Sequence, residues 1–148
     1  MRAADQFHAG IVVDDVECAM ADLAVLFGCE WCQTQTVPLP VRFPDGDSTV
    51  DLTFTYSKMT PRLELIATVP GTFWAPVPGI HHFGYWSDDV AGDSASLVER
   101  GYAMEVEGIR PDGSPYLGYY RKDNGLRVEL VSRELEPGLE RYWALGHF

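Results

Sequence analysis

Two stretches, HAGIVVDDV at residues 8–16 and HFGYWSDDV at residues 82–90, decide how this chain is read. Laid over one another at an offset of 74, they share the histidine, the glycine, the Asp-Asp pair and the valine, five of nine positions. An internal duplication of this kind changes every later inference, because each half must then be one supersecondary unit. The second copy sits in GIHHFGYWSDDV, residues 79–90, which carries two adjacent histidines. A strand turns successive side chains to opposite faces, so His81 and His82 cannot point at the same thing. His82 is the twin of His8; His81 then faces the other way, toward sheet packing or an outer hydrogen bond.

Beyond each Asp-Asp-Val the apolar residues recur with a helical period, at Cys18, Ala19, Leu23, Leu26 and Phe27 and again at Ala91, Ala95, Leu97 and Val98. An Asp precedes each run as a natural N-cap, and Gly28 or Gly101 closes it. Strands follow. Val50–Tyr56 alternates and turns at 58–61 into Arg62–Ile66; Tyr116–Tyr120 is followed by Lys122-Asp-Asn-Gly125, a turn signal, and then Leu126–Val131. The final strands superpose, Arg62 on Arg127 and Glu64 on Glu129. One further strand per unit is expected, around 34–41 and 102–106. The chain thus reads as one α+β domain, 1–148, made of two tandem βαβββ units, 6–68 and 80–132, that form a cupped mixed sheet around a central site. The stretch 69–79 has linker composition but carries Phe73 and Trp74, which should be buried at a dimer contact or over a pocket. The tail, 133–148, reads as a short helix docked on the outside of a sheet.

A length of 148 residues, 46 % hydrophobic, suffices for one core without disulfide staples. Three cysteines, Cys18, Cys29 and Cys32, fit reduced thiols, and no second pair completes a zinc site with the C-x-x-C at 29–32. No signal peptide or membrane helix is legible, so a cytoplasmic protein is expected. A net charge of −11, from 11 basic and 22 acidic residues, argues against nucleic acid or anionic membrane as partner.

The costly residues are His8, Glu64, His82 and Glu129, each set in an apolar strand. A buried carboxylate costs several kcal/mol unless it is paired or coordinated. Singly, each has a plain structural reading, such as the outward residue of an alternating strand. Together, at matching places in both repeats, two imidazoles and two carboxylates form an N2O2 shell for a divalent cation.

The segments FHAGIVVDDVECAMADLAVLFG, PRLELIA, GIHHFGYWSDDV and NGLRVELVS resemble the signature segments of the vicinal oxygen chelate superfamily. That superfamily includes glyoxalase I, methylmalonyl-CoA epimerase, extradiol dioxygenases, fosfomycin-modifying enzymes and bleomycin-binding proteins. The resemblance spans about residues 7 to 132 and lies closest in pattern to glyoxalase I and epimerase-like members. It implies His8, Glu64, His82 and Glu129 as ligands of one divalent metal ion (Zn, Ni, Co, Mn, Mg or Fe), with Glu129 or Glu64 as the catalytic carboxylate. The implied chemistry is that of a lyase or isomerase that chelates substrate oxygens and moves a proton through a metal-stabilised enolate, with a carboxylate whose pKa is raised. Glu64 matches glyoxalase I at the second ligand position, departs from the Gln of methylmalonyl-CoA epimerases and weighs against extradiol dioxygenases. No Arg and Asn cluster for a glutathione carboxylate is visible. The resemblance leaves open whether the site closes within one chain or across a dimer; a homodimer is expected. The alternative is a non-catalytic drug or natural-product binding protein of the same fold. The many aromatics, Trp31, Tyr56, Trp74, Tyr119 and others, suit a cup for a small, apolar or aromatic molecule in either case.

Overall fold

Each Asp-Asp-Val does what its chemistry dictates. In a computed structural model describing residues 1–148, β1 (Gln6–Val13) ends at Asp14, and Asp15 caps α1 (Val16–Phe27) by accepting the Cys18 N–H. In the second unit β5 (His82–Ser87) leads to Asp89, which caps α2 (Val90–Glu99) by accepting the Gly92 N–H. Gly28 ends α1 in the left-handed conformation, and Gly101 at φ +83° follows Arg100, the C-cap of α2. Both positions require a backbone that other residues adopt at a cost.

The remaining strands are β2 (Gln35–Phe43), β3 (Gly46–Tyr56) and β4 (Arg62–Ala67) in the first unit, and β6 (Ala103–Ile109), β7 (Pro115–Arg121) and β8 (Arg127–Ser132) in the second. Around the sheet they run β1-β4-β3-β2-β6-β7-β8-β5, and β5 returns to β1, so the cup closes into a barrel. β1 is parallel to β4 and β5 to β8, while β1 and β5 meet antiparallel, with His8 opposite Gly84 and Gly10 opposite His82. That pairing places the two units about a pseudo-twofold axis. The opposite seam is short, confined to Val41 against Gly108 and Arg42 against Glu107. Pro38 and Pro40 lie on β2 with one parity, and without N–H groups they limit what that strand offers a second neighbour.

Three apolar clusters organise the molecule. Inside one end of the barrel, Trp74 is fully buried among Val12, Leu39, Val41, Leu52, Ile66, Val106 and Tyr119. The connecting segment is thus a plug inserted into the barrel, tied by Val69 N–H to Trp74 O (2.9 Å) and Thr72 Oγ1 to Val69 O (2.8 Å). At the other end, α3 (Glu136–Leu145) sends Tyr142 and Trp143 among Cys32, Tyr56, Trp86 and Val131. The tail therefore roofs the mouth of the barrel and does not lie on the outside of the sheet, because its aromatic residues meet inward-facing Tyr56 and Trp86. The third cluster lies outside, where α2 covers Tyr120, Val128 and Leu130 with Val90 and Leu97.

The helices differ in how they use their apolar residues. In α1 only Val16 is buried, and Leu26 and Phe27, part of its periodic apolar set, are 69 % and 70 % exposed. Cys29 and Cys32 are buried free thiols and Cys18 an exposed one. No helix is long and apolar enough to cross a membrane.

Trp74→Ala should remove about 3–5 kcal/mol of stability, the cost of truncating a large buried aromatic residue. Urea unfolding of the variant against wild type measures it, and an unchanged midpoint would show that the plug does not support the barrel.

Candidate metal centre

Strand alternation selects the inward residues. His8 and Gly10 on β1, Glu64 on β4, His82 and Gly84 on β5 and Glu129 on β8 all turn into the barrel where β1 crosses β5. His8, Glu64, His82 and Glu129 are each at most 5 % exposed, and their ligand atoms lie within 4.8 Å of one another. All four come from one chain, so the cluster closes without a partner subunit. His8 Nε2 lies 3.0 Å from His82 Nε2, 3.2 Å from Glu64 Oε2 and 3.1 Å from Glu129 Oε2. His82 Nε2 is 3.2 Å from Glu64 Oε2 and 3.6 Å from Glu129 Oε2.

What permits this approach is the glycine shared by the two repeats. A Cβ on Gly10 would overlap the imidazole of His82, and one on Gly84 the imidazole of His8. Each histidine lies across the glycine of the other unit, so the two glycines belong to the site as much as the histidines do. The 74-residue repeat displayed both glycines, but only the antiparallel register shows what they make room for.

The electrostatics follow from the crowding. Burial pushes His8 down, but the charge of Glu64 and hydrogen bonding with Glu129 and Glu64 outweigh it and raise the imidazole to about 9. His82 is raised likewise, its burial overcome by hydrogen bonds to Glu129 and Glu64. Burial by itself would raise both carboxyls, yet the charge and hydrogen bonds of His8 hold Glu64 well below the usual carboxylate range, and hydrogen bonds from His8 and His82 lower Glu129. The sequence leads one to expect a raised carboxyl, whereas the two imidazoles set against the pair act in the opposite direction and lower both. Both carboxylates are in the form that accepts a proton.

His81 belongs to a different environment. Its Nδ1 is 3.0 Å from His82 Nδ1 and its Nε2 is 3.0 Å from the Phe73 carbonyl. Burial pushes its pKa down to about 4, so it is neutral.

The donor set fits a divalent cation. Nitrogen and oxygen ligands held at about 2.0–2.2 Å from a small ion stand roughly 3.0–3.5 Å apart, and the five separations that involve an imidazole run from 3.0 to 3.6 Å. Protons alone serve the cluster poorly: two imidazole nitrogens face one another, and Glu129 Oε2 is buried without a well-angled hydrogen bond.

Beside the cluster lies a cavity of about 240 Å³. Glu64, Glu129, Tyr56 and Tyr119 form its floor, Leu39, Leu52, Phe54 and Leu117 are among its walls, and Leu135, Leu139 and Phe148 roof it. Tyr56 stands opposite Glu64 and Tyr119 opposite Glu129 in the strand registers. Burial, reinforced by the carboxylate charges, raises both phenols well above their ordinary value and keeps them protonated. The tyrosines were legible only as aromatics, because nothing in the sequence aligns them with the carboxylates. No lysine or arginine lines the cavity.

Residues 7–120 match a family described as the Glyoxalase/Bleomycin resistance protein/Dioxygenase superfamily. No curated protein matches the chain significantly. Among solved structures, a methylmalonyl-CoA epimerase variant from Streptomyces coelicolor in complex with 2-nitronate-propionyl-CoA is similar in fold, with 19 % identity, a TM-score of 0.57 and coverage of 86 % of this chain and 96 % of that one. Methylmalonyl-CoA epimerase from Mycobacterium tuberculosis is similar at 14 % identity and a TM-score of 0.54, covering 89 % of this chain and 92 % of its own.

Gly84→Ala should drive His8 from its place and Gly10→Ala should do the same to His82. Each variant is expected to lose at least about 1–3 kcal/mol to overpacking and to bind divalent metal more weakly than wild type. Thermal melts and metal titration measure the two effects, and wild-type metal binding in both variants would show that the glycines are not part of the site.

Proposed function

This chain belongs to the Glyoxalase/Bleomycin resistance protein/Dioxygenase superfamily, and from that premise we propose that it is a divalent-metal-dependent lyase or isomerase acting on a small, apolar, uncharged substrate. The observation that carries the reading is the convergence of His8, Glu64, His82 and Glu129 at the floor of an apolar cavity. These four residues would hold the ion. When bound, a divalent ion supplies Lewis acidity to substrate oxygens and acidifies the adjacent C–H.

Glu129 is the proton acceptor in this reading. Its support is that Oε2, although 3.1 Å from His8 Nε2, makes no well-angled hydrogen bond, whereas Glu64 Oε2 is hydrogen-bonded to His82 at 3.2 Å. The C–H bond breaks toward Glu129 and its electron pair moves into the neighbouring carbonyl. Returning the proton from Glu129 to the former carbonyl carbon of a hydroxy-ketone, as the hydroxyl proton passes to the former carbonyl oxygen, completes an isomerisation; a proton delivered by Glu64 to the opposite face of the original carbon completes an epimerisation. Tyr56 and Tyr119, protonated and facing the cavity, donate to substrate oxygen or steady the carboxylates. The roof of α3 and Phe148 limits water, which keeps these interactions strong.

The substrate class rests on the lining. The similar epimerase structures hold coenzyme A compounds, and coenzyme A carries phosphates, which basic residues ordinarily neutralise. The cavity has none, and this supports a neutral, compact substrate such as a hydroxy-ketone over a phosphorylated one. A non-catalytic binding protein would use the same apolar walls but has no need of four buried polar groups at the floor.

Metal analysis of the purified protein separates these readings: stoichiometric divalent metal is expected, and its absence with full retention of fold in chelator would remove the catalytic one. With a panel of hydroxy-ketones and simple acyl thioesters in D2O, the metal-loaded protein should exchange the proton next to the carbonyl. Glu129→Gln should slow that exchange by about 10²–10⁴-fold, the range for a lost general base, while the far-ultraviolet circular dichroism stays that of wild type. Unchanged exchange in the folded variant would discard Glu129 as the base.

A further inference from the structure

The two halves of the metal centre are related by the repeat, but the residue preceding each histidine breaks the symmetry. Seventy-four residues before His81 stands Phe7. Phe7 stacks on Trp86, with ring centroids 3.8 Å apart, and offers His8 no polar atom. His8 Nδ1 is correspondingly buried without a partner. His82 Nδ1, by contrast, is 3.0 Å from His81 Nδ1.

The far end of His81 fixes the direction of this contact. Its Nε2 is 3.0 Å from the Phe73 carbonyl oxygen, which can only accept, so the proton of His81 sits on Nε2. His82 Nε2, which faces the cluster as the ligand atom, must carry its lone pair there, so the His82 proton sits on Nδ1 and is donated across the 3.0 Å to the lone pair of His81 Nδ1.

We propose that His81 is a positioning residue that fixes the tautomer and ring orientation of His82, through a relay running from His82 Nδ1–H to His81 and from His81 Nε2–H to the Phe73 carbonyl. The relay rests on the reading of the four-residue cluster as a metal site. His82 is the preorganised ligand of the pair, and His8, whose counterpart of His81 is a phenylalanine, is the unsupported one.

The relay is itself held in place. Arg127 donates to the His81 carbonyl at 3.3 Å and pairs with Glu105 at 2.6 and 3.0 Å. The Phe73 ring stacks on His81 at 5.6 Å, with the Arg127 guanidinium 5.2 Å from its centroid. The linker that plugs the barrel with Trp74 thereby also supplies, one residue earlier, the carbonyl that orients a ligand.

Two measurements test this. Nitrogen-15 spectra of histidine-labelled wild-type protein loaded with Zn²⁺ should show His81 protonated at Nε2 only, and His82 protonated at Nδ1 with Nε2 metal-bound. A proton on His81 Nδ1, or metal on His82 Nδ1, overturns the proposal. In Co²⁺ titrations followed by visible absorption, His81→Phe, which copies the first unit, should raise the dissociation constant about 10–100-fold. His81→Asn, whose Oδ1 can accept the same N–H, should recover most of that loss. Wild-type Co²⁺ affinity in a folded His81→Phe variant overturns the proposal; should that variant fail to fold, the wild-type spectrum decides. If the wild type takes up neither Co²⁺ nor Zn²⁺, the metal reading fails, and the His81 tautomer in the metal-free spectrum still decides the relay.

Discussion

The crossing of β1 and β5 is the constraint on which the rest depends. Two histidines can share one point inside a barrel only if the backbones carrying them come close, and they come close only because each imidazole lies over a glycine of the other strand. Any Cβ there would hold the strands apart, move the rings and open the pseudo-twofold junction. The geometry of the junction in turn fixes where β4 and β8 must lie, parallel to β1 and β5, with Glu64 and Glu129 turned inward beside the rings. The fold and the site are thus one requirement expressed twice. Four polar groups in an apolar interior cost more than the surrounding packing would tolerate unless they satisfy one another or share a cation.

Around that centre the barrel is finished differently at its two ends, and the difference creates the cavity. One end is filled by Trp74, packed among Val12, Val41, Ile66 and Val106. The other is covered at a distance by α3 and Phe148, and the space between roof and floor is the cavity. A molecule entering the cavity would meet apolar walls first and charge only at the floor. In such a place the electrostatic interactions of the carboxylates are strong, since little water competes with them.

The duplication explains what the halves share and also makes their differences informative. His8 with His82, Gly10 with Gly84 and Glu64 with Glu129 are paired both in sequence and in space. Phe7 and His81 are paired in sequence but not in chemistry, since one stacks on Trp86 and the other meets His82 Nδ1 at 3.0 Å. The helices diverge as well: α2 covers the sheet with Leu97, while Leu26 and Phe27 of α1 face solvent.

The sequence by itself determined the repeat, the order of strands and helices, the caps at Asp15 and Asp89, and the four residues that cluster at the centre. These are local or self-referential features, written in periodicity and in the offsets between the two repeats, 74 residues at the histidines and 65 at the glutamates, so no three-dimensional information is needed to read them. Only the tertiary structure decided that the cup closes on itself within one chain, that Trp74 plugs one end and α3 roofs the other, and that Tyr56 and Tyr119 face the carboxylates. Those outcomes depend on register and on which sheet face a distant segment can reach. Hydrophobic residues such as Trp74 and Tyr142 announce that they will be buried but not against what, because the hydrophobic effect has no direction. Hydrogen bonds have one, and the partner of His81 became legible only once the Phe73 carbonyl was found beside it.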